Sequence, residues 1–255
     1  MYRTKVFFSP LIWLLMLLLT SCVTVNDQNG SQLEKASKIN VQLGIGYYHR
    51  GNHELANEKL VKAMKQDPKS SQAHHAYAVL QNRFLDKVKA EFYFRKSVTL
   101  DPQNSEALNN FGAFLCTEER YDEANNMFMQ AVENPFYRSP EVAFTSAAVC
   151  LIKQGTSQAD QAKQYLKRAL AVGSNYRPAL INMASVQLIE KNYKATSLYL
   201  KRFHLTGNAT ARSLWFSIQT EIELGNNSKI NSIAEKLHNN FPDSKEFKQW
   251  LALDL

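Results

Sequence analysis

The chain lacks a stretch that could span a membrane: its longest uninterrupted apolar run, Leu11–Leu19 (LIWLLMLLL), is nine residues, against the roughly 20 that cross a hydrocarbon core. It also lacks a strong excess of charge. Removing Arg3 and Lys5 from the formal net charge of +7 leaves +5, evenly spread, which argues against a nucleic-acid partner. Catalytic signatures are missing too. Six histidines stand at 49, 53, 74, 75, 204 and 238, and none forms an HExxH or a Cys-His zinc spacing. His49 and His53 are four apart, but Gly51-Asn52 between them reads as a turn. No phosphate-cradling glycine loop, nucleophile elbow or paired-carboxylate motif occurs. These absences point away from an enzyme, and no metal, cofactor or small-molecule substrate is expected. Asn208-Ala209-Thr210 is read as a chance match to a glycosylation sequon.

What is present begins at the N-terminus. Arg3 and Lys5 precede the apolar run, as in a secretory signal. The run ends in Leu19-Thr20-Ser21-Cys22, which resembles the bacterial lipobox, with small residues before the cysteine. That resemblance implies a signal peptide over 1–21 and a lipid-bearing Cys22, the only covalent group expected. One acyl chain holds marginally, at ~0.8 kcal/mol per buried methylene, so several chains are needed for firm attachment. Val23 replaces the aspartate that resembles an inner-membrane retention signal. By analogy the protein would be lipid-anchored in the outer membrane, facing the periplasm. Residues 22–36 then read as the lipidated cysteine and a flexible tether, with a random-coil span of roughly 20 Å.

Periodicity starts at Ser37. Asp67-Pro68 and Asp101-Pro102 lie 34 residues apart, the period of a tetratricopeptide repeat (TPR). In the first unit, 37–70, Leu43, Gly44, Tyr47, Ala56, Leu60, Ala63 and Pro68 occupy the signature positions. Small residues let two antiparallel helices approach, large ones fill the space beside them, and the proline stops the second helix. The second unit, 71–104, has Ala78, Ala90, Phe94, Ser97 and Pro102, and the third, 105–138, has Leu108, Gly112, Ala124, Phe128 and Ala131. The fourth, 141–176, fits if two residues are inserted after Gly155. In the fifth, 177–210, Thr196 and Phe203 stand where alanines are usual, which predicts looser packing. The sixth, 211–244, is the weakest, and 245–255 reads as a capping helix. The expected fold is therefore all-α, a right-handed superhelical solenoid of about six TPR helix pairs plus a C-terminal capping helix.

Such a stack presents a concave face lined by the first helix of each pair. At the face positions the first three units offer Val41, Ile45 and Tyr48, then His75, Val79 and Asn82, then Asn109 and Ala113. The apolar members suit an amphipathic helix or apolar peptide. A clamp for a chaperone's terminal carboxylate would need lysine, asparagine and arginine where Val41, Ile45, Ala76, Glu106 and Asn110 stand, so that partner class is rejected. Cys116 and Cys150 fall at positions 12 and 10 of adjacent units. In an oxidising compartment they are a candidate disulfide, provided their Cα atoms come within ~7 Å.

The segments "LNNFGAFLCTEERYDEANNMFMQAVENPFY" (108–137) and "AAVCLIKQG" (147–155) are narrower than the generic repeat. With the lipobox and the six units, they make the chain resemble the PilF/PilW family of type IV pilus biogenesis lipoproteins, some of which act as pilotins. The resemblance implies an adaptor that binds secretin subunits of the pilus system and assists their localisation and multimerisation in the outer membrane. The alternative is a general periplasmic TPR scaffold for another envelope or cell-wall assembly machine.

Overall fold

Each repeat carries its own start and stop signals, and in the computed structural model, which describes residues 21–253, they divide the chain into thirteen α-helices with no strand among the described residues. Asn52, Ser70, Asp86, Asn192 and Ser244 each cap a helix, their side-chain oxygens accepting from a backbone N–H of the first turn. At five first-helix ends the chain reverses through one residue of positive φ: Gly51, Leu85, Glu119, Lys191 and Gly225. The following N–H then returns to the carbonyl five residues back, as in Asn52 to Tyr47 and Arg120 to Leu115, both at 3.0 Å.

Two compact units result, Met1–Ala107 and Leu108–Leu255. The first holds α1 (Ser21–His49), α2 (His53–Gln66), α3 (Ser71–Arg83) and α4 (Lys87–Leu100). Helix α1 packs on α2, α3 on α4, and α3 also touches both α1 and α2. Gly44 makes the first pairing possible, since a Cβ there would lie 2.6 Å from Leu60 Cγ. Between α3 and α4, buried Ser97 donates to the Ser71 carbonyl at 2.9 Å, so the serine standing at an alanine position has its hydroxyl satisfied.

The second unit takes most of α5 (Ser105–Thr117), then α6 (Tyr121–Glu133), α7 (Pro140–Gln154), α8 (Ala159–Val172), α9 (Arg177–Ile189), α10 (Tyr193–Leu205), α11 (Ala211–Glu223), α12 (Asn227–Asn240) and α13 (Lys245–Leu251). The first helices α7, α9 and α11 pack in succession and form one layer, and α13 closes on α11 and α12. The insertion after Gly155 is a short 3-10 turn, Thr156–Gln158. All-α TPR helix pairs are thus the architecture of both units.

Two expectations need correction. The segment read as a coiled tether is helical: α1 runs unbroken for 29 residues from Ser21 to His49. Once Ser37 onward is nucleated against α2, each further residue adds one hydrogen bond for one fixed residue, and the Glu34–Lys38 pair at 2.6 Å supports the extension. Residues 30–35 are nonetheless exposed and undocked. The fifth pair is not loose either. Thr196 and Phe203 are buried, the threonine hydroxyl donating to the Asn192 carbonyl at 3.0 Å. The Arg177 guanidinium lies 3.8 Å over the Phe203 ring and donates to the Phe203 and Asn208 carbonyls. A larger side chain is accommodated because an arginine stacks on it. The segment 1–21, expected to be a signal peptide, lies almost wholly outside the described residues. No described helix is long and apolar enough to cross a membrane.

Candidate protein-binding surfaces

In the first unit, helical spacing brings Val41, Ile45 and Tyr48 onto one stripe of α1, and His75, Val79 and Asn82 onto one of α3. Only part of that set is available to a partner. Val41 is 4% exposed and packs with Ala73, Ala76 and Leu80, so it holds neighbouring pairs together and does not line an open face. Ile45 is exposed, while Tyr48, Val79 and Asn82 are half-buried. The Tyr48 ring lies 5.5 Å from His49 and 5.7 Å from His53. Burial pushes the His75 imidazole down to about 4, so this residue carries no charge at neutral pH.

In the second unit Asn109 is likewise no open-face residue. It is 7% exposed, and its Oδ1 is buried without a hydrogen-bond partner among the described residues. Ala113 is exposed and lines a cavity of about 380 Å³ between the first helices of three successive pairs. Helix α5 contributes Ala113 and Thr117, α7 contributes Val142, Val149 and Lys153, and α9 contributes Pro178 and Asn182. Cys116 and Cys150 are joined in its wall, their Cα atoms 5.8 Å apart. Lys153 Nζ donates to the Cys116 carbonyl at 3.3 Å, which ties α7 to α5 beside the bridge. The Asn182 amide donates to the Pro178 carbonyl at 2.8 Å, while its Oδ1 faces Arg212 at 3.4 Å.

Chemically this is an apolar hollow with an ammonium and a carboxamide at its edge, suited to holding an apolar side chain of a bound segment. No group of three or more histidine, cysteine or carboxylate side chains that could hold a metal occurs among the described residues. Val142, Thr145, Val149 and Lys153 were overlooked although the signal was available. They stand at the same repeat positions of the fourth unit that give Glu106, Asn109, Ala113 and Thr117 in the third. Tyr176 and Asn182 carried no such signal, because they reach the cavity from other repeat positions.

Residues 93–133 match the tetratricopeptide repeat family model. Over 248 residues the chain is 32% identical to the type IV pilus assembly protein PilF of Pseudomonas aeruginosa, covering 96% of this chain and 98% of the relative. The chain belongs to the PilF/PilW family of TPR proteins. Its structure is similar to that of P. aeruginosa PilF, with a TM-score of 0.78 and 29% identity over 87% of this chain and 99% of the other. It is also similar to the crystal structure of PilW, described as a widely conserved type IV pilus biogenesis factor, with a TM-score of 0.77 and 28% identity over 84% of this chain and 98% of the other. Assignment to the family rests on the whole repeat array, since the match takes in the fifth and sixth pairs as well as the first four.

For this PilF/PilW-family chain the buried histidines predict acid sensitivity. Burial lowers His75 most, and burial also lowers His74 and His204. The unfolded chain therefore takes up protons before the folded one does. Stability present above the ordinary histidine range is lost as pH falls from there toward 4, and levels off below. The His75 contribution between pH 7 and pH 5 is roughly 2 kcal/mol. Urea midpoints should fall over that interval, and His75→Gln, uncharged throughout, should flatten the decline.

Proposed function

We propose that this protein is an outer-membrane lipoprotein of type IV pilus biogenesis, anchored through acyl chains on Cys22 and facing the periplasm. Its TPR groove holds a segment of the pilus secretin and so assists localisation and multimerisation of the secretin subunits. The observation that carries the reading is 32% identity to PilF across 96% of the chain. The hollow formed by α5, α7 and α9 supports a protein partner, because its walls are apolar and no catalytic pair converges there. The anchor raises the local concentration of the groove at the membrane where the secretin assembles.

Secretin migration in unheated envelope fractions tests this. In a strain lacking the protein, the multimer should vanish and monomer accumulate away from the outer membrane. Val149→Glu, which puts a carboxylate into the hollow, should reduce the multimer without changing the amount of adaptor, and Cys22→Ala should mislocalise it. A normal multimer at the outer membrane in the deletion strain would refute secretin assistance and favour a general envelope scaffold.

A further inference from the structure

The turn after α3 and the first two turns of α4 break the pattern of the repeat. Four large apolar side chains protrude there within nine residues: Phe84, Leu85, Val88 and Phe92, at 51%, 78%, 83% and 59% exposure. One repeat earlier the same positions hold Arg50, Gly51, Glu54 and Glu58, and one repeat later Glu118, Glu119, Asp122 and Asn126. The repeat therefore does not require apolar residues at these places; single leucines recur in later units, Leu198 at the place of Phe92 and Leu224 at that of Phe84, but neither unit gathers four. Leu85 adds a second anomaly. It occupies the turn position of positive φ, at 61°, where other units place Gly51, Glu119, Lys191 and Gly225, so of these five turn residues it alone is a large apolar one. A strained, exposed leucine gains nothing from the packing of this chain.

The surroundings say what covers it. From Arg83 to Lys96 there are five cations, Arg83, Lys87, Lys89, Arg95 and Lys96, against two acids, Asp86 and Glu91. Both acids are paired, Asp86 with Lys89 at 2.9 Å and Glu91 with Arg95 at 2.7 Å, so the rim has an excess of three positive charges. Protruding Phe, Leu and Val ringed by Lys and Arg are complementary to a bilayer surface. The apolar tips enter the acyl boundary while the long cationic side chains reach phosphate.

We propose that this edge of the first unit docks peripherally on an anionic phospholipid bilayer. Phe84, Leu85, Val88 and Phe92 insert, and Arg83 and Lys96 contact headgroups. The contact goes beyond the pilus reading and requires no acyl group. It would orient a unit whose first helix begins beside Cys22, adding a second, reversible point of attachment to any lipid there.

The test uses residues 22–255 carrying Cys22→Ser, which contain the described helical array, sedimented with vesicles of phosphatidylcholine alone or mixed with phosphatidylglycerol. Binding to the mixed vesicles should exceed that to phosphatidylcholine, weaken with salt, and fall at least about tenfold in Val88→Glu/Phe92→Glu. Both positions are exposed, so the variant should keep its helicity and melting temperature, and its secretin assay reads the groove separately. Absence of binding to the mixed vesicles, or equal binding by the variant, overturns the proposal. Self-association of the unsubstituted chain that the double variant abolishes also overturns it and makes this edge an interface between copies.

Discussion

Phe128→Ala should lower the stability of the second unit by roughly 3–5 kcal/mol, the range for removing a buried aromatic ring. Phe128 is 1% exposed, and its ring lies against the backbone of α5, where a Cβ at Gly112 would come within 2.8 Å of Cε1. The two residues form one contact: the glycine removes bulk so that the ring can approach the neighbouring helix closely. Gly112→Ala alone should therefore cost about 1–3 kcal/mol from overpacking, despite the better helix propensity of alanine. The double variant should cost less than the sum, because the new methyl group enters space that the ring has left. Urea denaturation of the four proteins measures the coupling, and additivity within about 0.5 kcal/mol would mean that the two sites do not share this contact. Phe128 also lines the α5–α7–α9 hollow, so the same substitution should enlarge that site and weaken whatever it binds.

Reducing the Cys116–Cys150 bond, or replacing both cysteines by alanine, should cost roughly 3–4 kcal/mol in the chain-entropy account. The bond closes a loop with a sequence separation of 34 residues, so the unfolded chain gains considerable freedom when it opens. For a unit of this size the loss corresponds to a fall of roughly 10 °C in melting temperature. A melt with and without reductant checks this directly. The double alanine variant should melt near the reduced protein and ignore the reductant. The bond has a local effect as well. It joins α5 to α7 within the wall of the hollow, where Lys153 makes a parallel tie to the Cys116 carbonyl. Reduction should therefore loosen the site before it unfolds the unit, and partner binding should weaken at temperatures where helicity is unchanged.

Much of this architecture is written locally in the chain. Gly44, Ala56, Leu60 and Ala63 repeat at a fixed period because two helices can pack closely only with small residues at the crossing, and Asn52, Ser70 and Asp86 mark helix starts by offering a side-chain acceptor. Helix pairs, their order and the turn positions follow from such nearest-neighbour requirements. The binding face was less legible. Val41 and Asn109 fall at face positions by count but are buried, because the same positions also meet the adjoining helices, and only packing decides how much of each remains open.

The sequence by itself determined the repeat period, the all-α class and the cysteines available for bonding, since each depends on residue type at a fixed spacing. Tertiary structure alone decided three other matters. It carried α1 back to Ser21, because a helix nucleated by docking propagates along undocked residues. It placed the hollow chiefly on α5, α7 and α9, because a concavity arises from side chains of helices that are not adjacent in sequence. It left Leu85, Val88 and Phe92 in solvent, because apolar character records what a residue prefers to touch, whereas exposure depends on which neighbours the fold supplies.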